Sequence, residues 1–322
     1  MNNDNSKKTN LYSIVIPVYN STQTLVEISE RVDMVFKTII KENYEIIFVD
    51  DGSYNGETWK TLTTLVQNNK NASAVQLTRN FGQVPATLCG MKEAAGDFII
   101  TMDDDLQHLP EDIPRLIAEK GHDIVIGQFP GSKHGLSRCM TSKIKDVFDR
   151  LILGKPKHIK MSAFRLMSRN IVSGMLSITT PFPMIAPMMF YFSKDVVGID
   201  LDHESRKVGK SGYNFFKRLK LFTNLLINNS SLLLRMIGCL GISLSLLSVF
   251  WGLFLIYQKI AGVSRLVGWT SIMVTVLFIG GLLLFSVGIL GEYLIRIIRG
   301  TEKKPTYFIR KKIKIDRSRS ME

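Results

Sequence analysis

The chain has 322 residues and a formal charge of +13, from 41 Lys and Arg against 28 Asp and Glu, with 45% hydrophobic residues. Its length allows one large or two modest domains. Cys89, Cys139 and Cys239 are widely spaced and odd in number, which excludes a disulfide scaffold and a zinc pattern and points to a reducing compartment. The opening MNNDNSKKTN has no apolar stretch, so no cleavable signal peptide is expected.

From residue 11 to about 127, short apolar stretches alternate with helix-length segments. Ser13–Val18 reads as a strand with Pro17 near its end, and Ser21 or Thr22 can cap a helix running toward Ile40. Glu45–Val49 predicts a second strand, with a helix around Thr58–Gln67. Ala74–Leu77 predicts a third, leading through Arg79-Asn80-Phe81-Gly82-Gln83 into a helix that ends near Gly96. Asp97–Met102 and Asp123–Ile126 predict the fourth and fifth. Strands too apolar for one wet face, each followed by a helix, predict an α/β fold with a mostly parallel sheet covered on both sides. Ligands of such sheets bind beyond the carboxyl ends of the strands. Three polar clusters fall there: Tyr19-Asn20, Asp50-Asp51-Gly52-Ser53 and Asp103–Asp105.

The last cluster lies in Thr101–Gln107, TMDDDLQ. On an extended backbone Asp103 and Asp105 point the same way, about 6.7 Å apart. Ionised, they repel by roughly 2.5 kcal/mol at an effective dielectric near 20. Water can offset that, and so can a divalent cation such as Mg²⁺ or Mn²⁺ shared with substrate phosphates. The alternative is a solvated acidic turn that starts the next helix.

Beyond residue 128, Phe164-Arg165-Leu166 and Pro181–Phe192 read as core or interfacial segments. Arg206–Tyr213, RKVGKSGY, is a basic loop whose glycines let backbone approach a phosphate, or an ordinary turn with solvated lysines. Tyr213–Ile227 puts Phe215, Phe216, Leu219, Phe222 and Leu226 at helical spacing beside Lys217, Arg218 and Lys220, which suits the membrane interface. Met236–Tyr257 and Trp269–Leu290 carry no charge; each is long enough, at about 33 Å, to cross a hydrocarbon core of about 30 Å. Two spans are expected. Lys and Arg crowd their outer ends, Lys217 to Arg235 before and Arg296 to Lys304 after. The positive-inside bias then places both termini and the α/β domain in the cytoplasm. The basic tail from Thr301 reads as lipid-hugging or disordered.

The ordered set IVIPVYN (Ile14–Asn20), VDDGS (Val49–Ser53), RNFGQ (Arg79–Gln83), MDDDLQH (Met102–His108), FRLMSR (Phe164–Arg169) and RKVGKS (Arg206–Ser211) resembles glycosyltransferase family 2. With two terminal spans it resembles the polyprenyl-phosphate glycosyltransferases, dolichyl-phosphate mannose synthase-like and bacterial undecaprenyl-phosphate enzymes. The resemblance implies a GT-A nucleotide-sugar-binding domain over residues 1–212. A juxtamembrane amphipathic segment (213–235), a two-helix transmembrane hairpin (236–297) and a basic cytoplasmic tail (298–322) complete the expected layout.

By the same resemblance, Pro17, Tyr19 and Asp51 contact the nucleoside, with Asp50 and Ser53 in the same donor-binding loop. Asp103 and Asp105 hold Mg²⁺ or Mn²⁺ on the donor pyrophosphate, and Gln107 stands near the sugar. Arg206, Lys210 and Ser211 bind phosphate oxygens of donor or lipid; Asp105, Gln107 and Arg206 form the catalytic set. The implied reaction is inverting transfer from a UDP-linked sugar to undecaprenyl phosphate at the cytoplasmic face of the bacterial inner membrane. A homotetramer is implied, and no nucleic-acid partner. Ser21, Asn55, Glu57, Ala163 and Gly212 depart from the family pattern, so a catalytically weakened sugar-nucleotide-binding scaffold is the alternative. A processive polysaccharide synthase is a further one, but it needs more spans and a QxxRW motif.

Overall fold

Leu11–Val18 (β1) and Asn43–Asp50 (β2) are buried along almost their whole length, as their continuous apolar sequences demand. The computed structural model describes residues 9–129, 159–180, 182–201, 268–301 and 304–314, with scattered positions between 243 and 261. The chain divides into two compact units, Met1–Ser211 with Lys304–Glu322, and Gly212–Lys303.

The first unit is built on one eight-stranded sheet. Helix α1 (Leu25–Val35), continued by a wider turn to Ile40, connects β1 to β2. α2 (Glu57–Asn68) leads to β3 (Ala72–Leu77), and α3 (Gln83–Glu93) leads to β4 (Phe98–Thr101). α4 (Ile113–Ala118) precedes β5 (Ile124–Gln128). After the undescribed stretch come β6 (Arg165–Ser168), α5 (Arg169–Ser177), α6 (Ile185–Phe192) and β7 (Val196–Asp200). The order across the sheet is β7-β5-β6-β4-β1-β2-β3, with one more strand, β8 (Ile309–Ile313), beyond β3. β1 pairs in parallel with both β2 and β4, so the winding reverses between β1 and β4. That crevice is where an open α/β sheet receives a ligand.

Two strands run against the parallel grain. The FRL segment is core, with Phe164 and Leu166 fully buried, and it is a strand: β6 inserts antiparallel between β4 and β5, pairing Arg165 with Thr101 and with Ile126. The basic tail also contributes a strand. β8 runs antiparallel to β3, Arg310 donates to the Thr78 carbonyl at 2.9 Å, and Lys312 and Lys314 face Glu93. Three consecutive exposed cations, Arg310 to Lys312, between Ile309 and Ile313 suit an edge strand.

In the second unit, α7 (Trp269–Thr301) is a single 33-residue helix. It continues eleven residues past the expected end at Leu290, through Glu292, Arg296 and Arg299. Its window Phe278–Ile295 is long and apolar enough to cross a membrane, with mean hydropathy 2.0. The first expected span, 236–257, lies largely outside the described residues, as does the amphipathic segment 213–235; the described positions between 243 and 260 are helical.

Candidate functional site

Two loops at the carboxyl end of the sheet are locked together by the VDDGS turn. Asp50 is fully buried, and its carboxylate accepts from the Ser53 amide at 2.9 Å and from Gln76 Nε2 at 2.9 Å. Asp51 accepts from the amides of Phe81 and Gly82, both at 2.8 Å. Between them, Gly52 has φ +64°, and a Cβ there would lie 2.3 Å from the Arg79 carbonyl carbon. Only glycine lets the turn lie that close to the RNFGQ loop. Ser53 Oγ accepts from the Asn20 amide at 2.8 Å, tying the end of β1 to the same turn.

β4 stops at Thr101, two residues short of the first aspartate. The extended geometry expected for Asp103 and Asp105 is therefore absent. The chain bends instead, with Leu106 buried at φ +58°, a conformation that costs a leucine about 1–2 kcal/mol. This tight bend brings Asp103, Asp104 and Asp105 together with Pro17, Tyr19, Asp51, Asn80, Gly82 and Gln83 around a cavity of about 270 Å³. Tyr19 is 45% exposed, a flat aromatic face available to a base.

Each aspartate is differently held. Gln83 Nε2 donates to Asp103 Oδ1 at 2.6 Å, and the Asp103 amide donates to His108 Nδ1 at 3.1 Å. With Nδ1 accepting from that amide, a ring proton belongs on Nε2, and Nδ1 lies 3.8 Å from Asp103 Oδ2. Its buried ring stacks on Phe129 and Phe164. Asp105 Oδ1 accepts from the Gln107 amide at 3.1 Å, while the Asp104 carbonyl accepts from the Thr24 hydroxyl. Burial, reinforced by Asp103 and Asp105, pushes the Asp104 carboxyl up to about 7. Burial also raises Asp51, against the two amides that hold it.

The family is decided by the same segments. Residues 13–176 match the family described as Glycosyl transferase family 2. The chain belongs to this family. Undecaprenyl-phosphate 4-deoxy-4-formamido-L-arabinose transferase of Pectobacterium atrosepticum is 34% identical over 307 residues, 94% of this chain and 93% of that protein. The proteins of the same name from Klebsiella pneumoniae and Photorhabdus laumondii are 31% and 33% identical, over 96% and 93% of both lengths. The fold is similar to glucosyl-3-phosphoglycerate synthase from Mycobacterium tuberculosis in complex with uridine-diphosphate. That likeness has a TM-score of 0.51 at 13% identity and covers 67% of this chain and 79% of the other. This protein is thus a family 2 glycosyltransferase with a mostly parallel α/β sheet.

Of the residues that the family 2 resemblance singles out, Pro17, Tyr19, Asp51, Asp103 and Asp105 line one cavity. Asp50 and Ser53 stand behind it as braces, and Gln107 lines neither this cavity nor its neighbour. Arg206, Lys210 and Ser211 lie outside the described residues. Sequence reasoning missed Gln83, His108 and Asp104. Gln83 and His108 stand inside the quoted motifs, but their contacts cross between elements. It also missed Arg165, which lines a second cavity of about 320 Å³ that shares Pro17, Gln83 and Asp103 with the first. Among the departures, Ser21 Oγ sits 3.3 Å from the Thr24 hydroxyl, and Asn55 Oδ1 accepts from Thr58 ahead of α2.

Among the described residues no group of three or more Asp, Glu, His or Cys side chains is arranged to hold a metal by itself. The donor set is nevertheless hard oxygen, and Mg²⁺ commonly takes one or two carboxylates and completes its shell with substrate phosphates and water. Asp103 and Asp105 fit that role.

Proposed function

We propose that this glycosyltransferase moves a sugar from a UDP-linked donor to a polyprenyl phosphate, with undecaprenyl phosphate as the acceptor, at the cytoplasmic face of a bacterial inner membrane. The observation that carries the reading is the convergence of Tyr19, Asp51, Asp103 and Asp105 on one cavity at the β1/β4 crevice. The relatives' name supplies the acceptor, because their similarity runs over more than nine-tenths of both chains.

Tyr19 and Pro17 offer a surface for the base, and Asp51 holds the RNFGQ loop against it. Asp103 and Asp105 take Mg²⁺ or Mn²⁺, which supplies Lewis-acid stabilisation of the leaving nucleoside diphosphate when bound. A lipid phosphate monoester has a second pKa near 6, so the nucleophile is already largely a dianion at neutral pH and needs little help from a base. Arg206 and Lys210 locate it and screen its charge from the donor, with Ser211 beside them. In-line attack at the anomeric carbon inverts its configuration. The apolar stretch of α7 anchors the enzyme, with a second span before it, so an acceptor confined to the bilayer is reached in two dimensions. A homotetramer with both termini in the cytoplasm completes the reading.

The test is to incubate the purified protein with undecaprenyl phosphate, Mn²⁺ and radiolabelled UDP-sugars. Label entering the chloroform phase, and lost with a chelator, is the expected result. Donor binding without any lipid product would favour the scaffold, and label in a growing polymer would favour the synthase.

A further inference from the structure

Arg165 is an uncommon residue to find inside a sheet. It sits on β6 between β4 and β5, and only 9% of it is exposed. Among the described residues its Nε has no hydrogen-bond partner, and Nη1 reaches only the Met189 sulfur, at 3.6 Å. A buried guanidinium left this poorly answered costs several kcal/mol of desolvation, and buried polar groups are otherwise almost always paired.

The cation lines the 320 Å³ cavity, whose other walls include Met161, Ala163, Met184, Ile185 and Ala186. Its volume lies at the lower end of the roughly 300–1,000 Å³ of small-molecule pockets, room for a single monosaccharide-sized group. The cavity shares Pro17, Gln83 and Asp103 with the nucleotide cavity, so whatever occupies it is continuous with the donor's pyrophosphate end. Ala163 contributes no carboxylate, and its carbonyl already accepts from Thr101 at 2.6 Å. Among the described residues that line the cavity, the buried donor still in want of a partner is Arg165 Nε.

We propose that Arg165 is a specificity residue, binding a carbonyl oxygen (amide or carboxylate) carried by the sugar part of the donor within this mostly apolar cavity. The inference rests on the nucleotide-sugar reading above. Guanidinium donors match such an oxygen in geometry and charge. The apolar walls tolerate an acyl or methyl group, while a plain hexose leaves the guanidinium with the charge of Asp103 nearby but its Nε without a hydrogen-bond acceptor.

The experiment is calorimetry on the full-length protein with Mn²⁺ and, in turn, UDP, UDP-glucose, UDP-glucuronate and UDP-N-acetylglucosamine. The wild type is expected to bind the carboxylated or acylated donor at least roughly ten-fold more tightly than UDP-glucose. Arg165→Gln is expected to lose that preference while keeping its affinity for UDP. Ala163→Glu supplies an internal carboxylate to the same cation; it is expected to lose the preference too while melting no lower than wild type, so the test survives if Arg165→Gln does not fold. UDP binding with no preference among the sugars in the wild type overturns the inference alone. So does an Arg165→Gln that raises KM for undecaprenyl phosphate instead of the donor, which would assign the cation to the lipid phosphate. Failure to bind UDP at all overturns the nucleotide-sugar reading, and this inference with it.

Discussion

Gln83 opens α3 and donates through Nε2 to Asp103 Oδ1, across the crevice at the end of β4, at 2.6 Å. The contact fixes Asp103 Oδ1 at the wall of the cavity. Gln83→Ala should release it and lower kcat/KM for lipid-linked sugar formation by about ten-fold, the worth of one charge-assisted hydrogen bond. Gln83→Glu should lower it further, since it places another carboxylate against Asp103. Both follow from steady-state assays across a Mn²⁺ titration.

Asp105→Ala should reduce transfer by at least about a hundred-fold, the scale on which a transition-state charge partner acts. It should also abolish the rise in Tm that Mn²⁺ with UDP gives the wild type. Undiminished turnover of purified Asp105→Ala would remove this residue from the cation site.

Gly52→Ala tests the lock between the two loops. The substitution puts a Cβ at φ +64° and 2.3 Å from the Arg79 backbone, where neither partner is a yielding side-chain tip. A loss of about 2–4 kcal/mol is expected from strain and displacement, measured as a shift in the denaturant midpoint.

Glu45 braces the opposite end of the sheet. It is 5% exposed and accepts from Ser13 Oγ at 2.7 Å and the Ala95 amide at 2.6 Å, while Gly96 donates to Ser13 at 2.8 Å. Glu45→Ala strands the buried Ser13 hydroxyl and the part-buried Ala95 amide and should cost about 2–4 kcal/mol, with KM for the donor unchanged in the protein that remains folded.

Cys89 reports on the tail strand. Burial pushes its thiol up to about 12, with Glu93 adding to the shift and Lys312 opposing it. The reactive species is the thiolate, so labelling should be far slower than that of an ordinary cysteine at the same pH, and should keep rising with pH beyond about 8.5, where an ordinary one levels off. In a Cys139→Ser, Cys239→Ser background, alkylation should stay slow at pH 8. Removal of residues 305–322 also takes away Tyr307 and Lys312, which hold the thiol pKa down, but burial is the largest cause of the shift, so uncovering the thiol should win and accelerate alkylation at least about ten-fold.

The strand–helix alternation to β5, the acidic and amide clusters at the strand ends and the apolar stretch of α7 were all legible in order along the chain. Each is a local property: unbroken apolar runs force strands into a doubly covered sheet, and polar residues collect where those strands run out. The family motifs are local in the same sense. What crosses between elements was not legible. Arg165 reads as one cation in an apolar run, and only its antiparallel insertion between β4 and β5 buries it beside Asp103. The tail strand is too short, and its charge too high, to announce itself before β3 offers an open edge. Even the aspartates meet through a left-handed leucine rather than through strand alternation, because a bend can be held at that cost only by the packing around it.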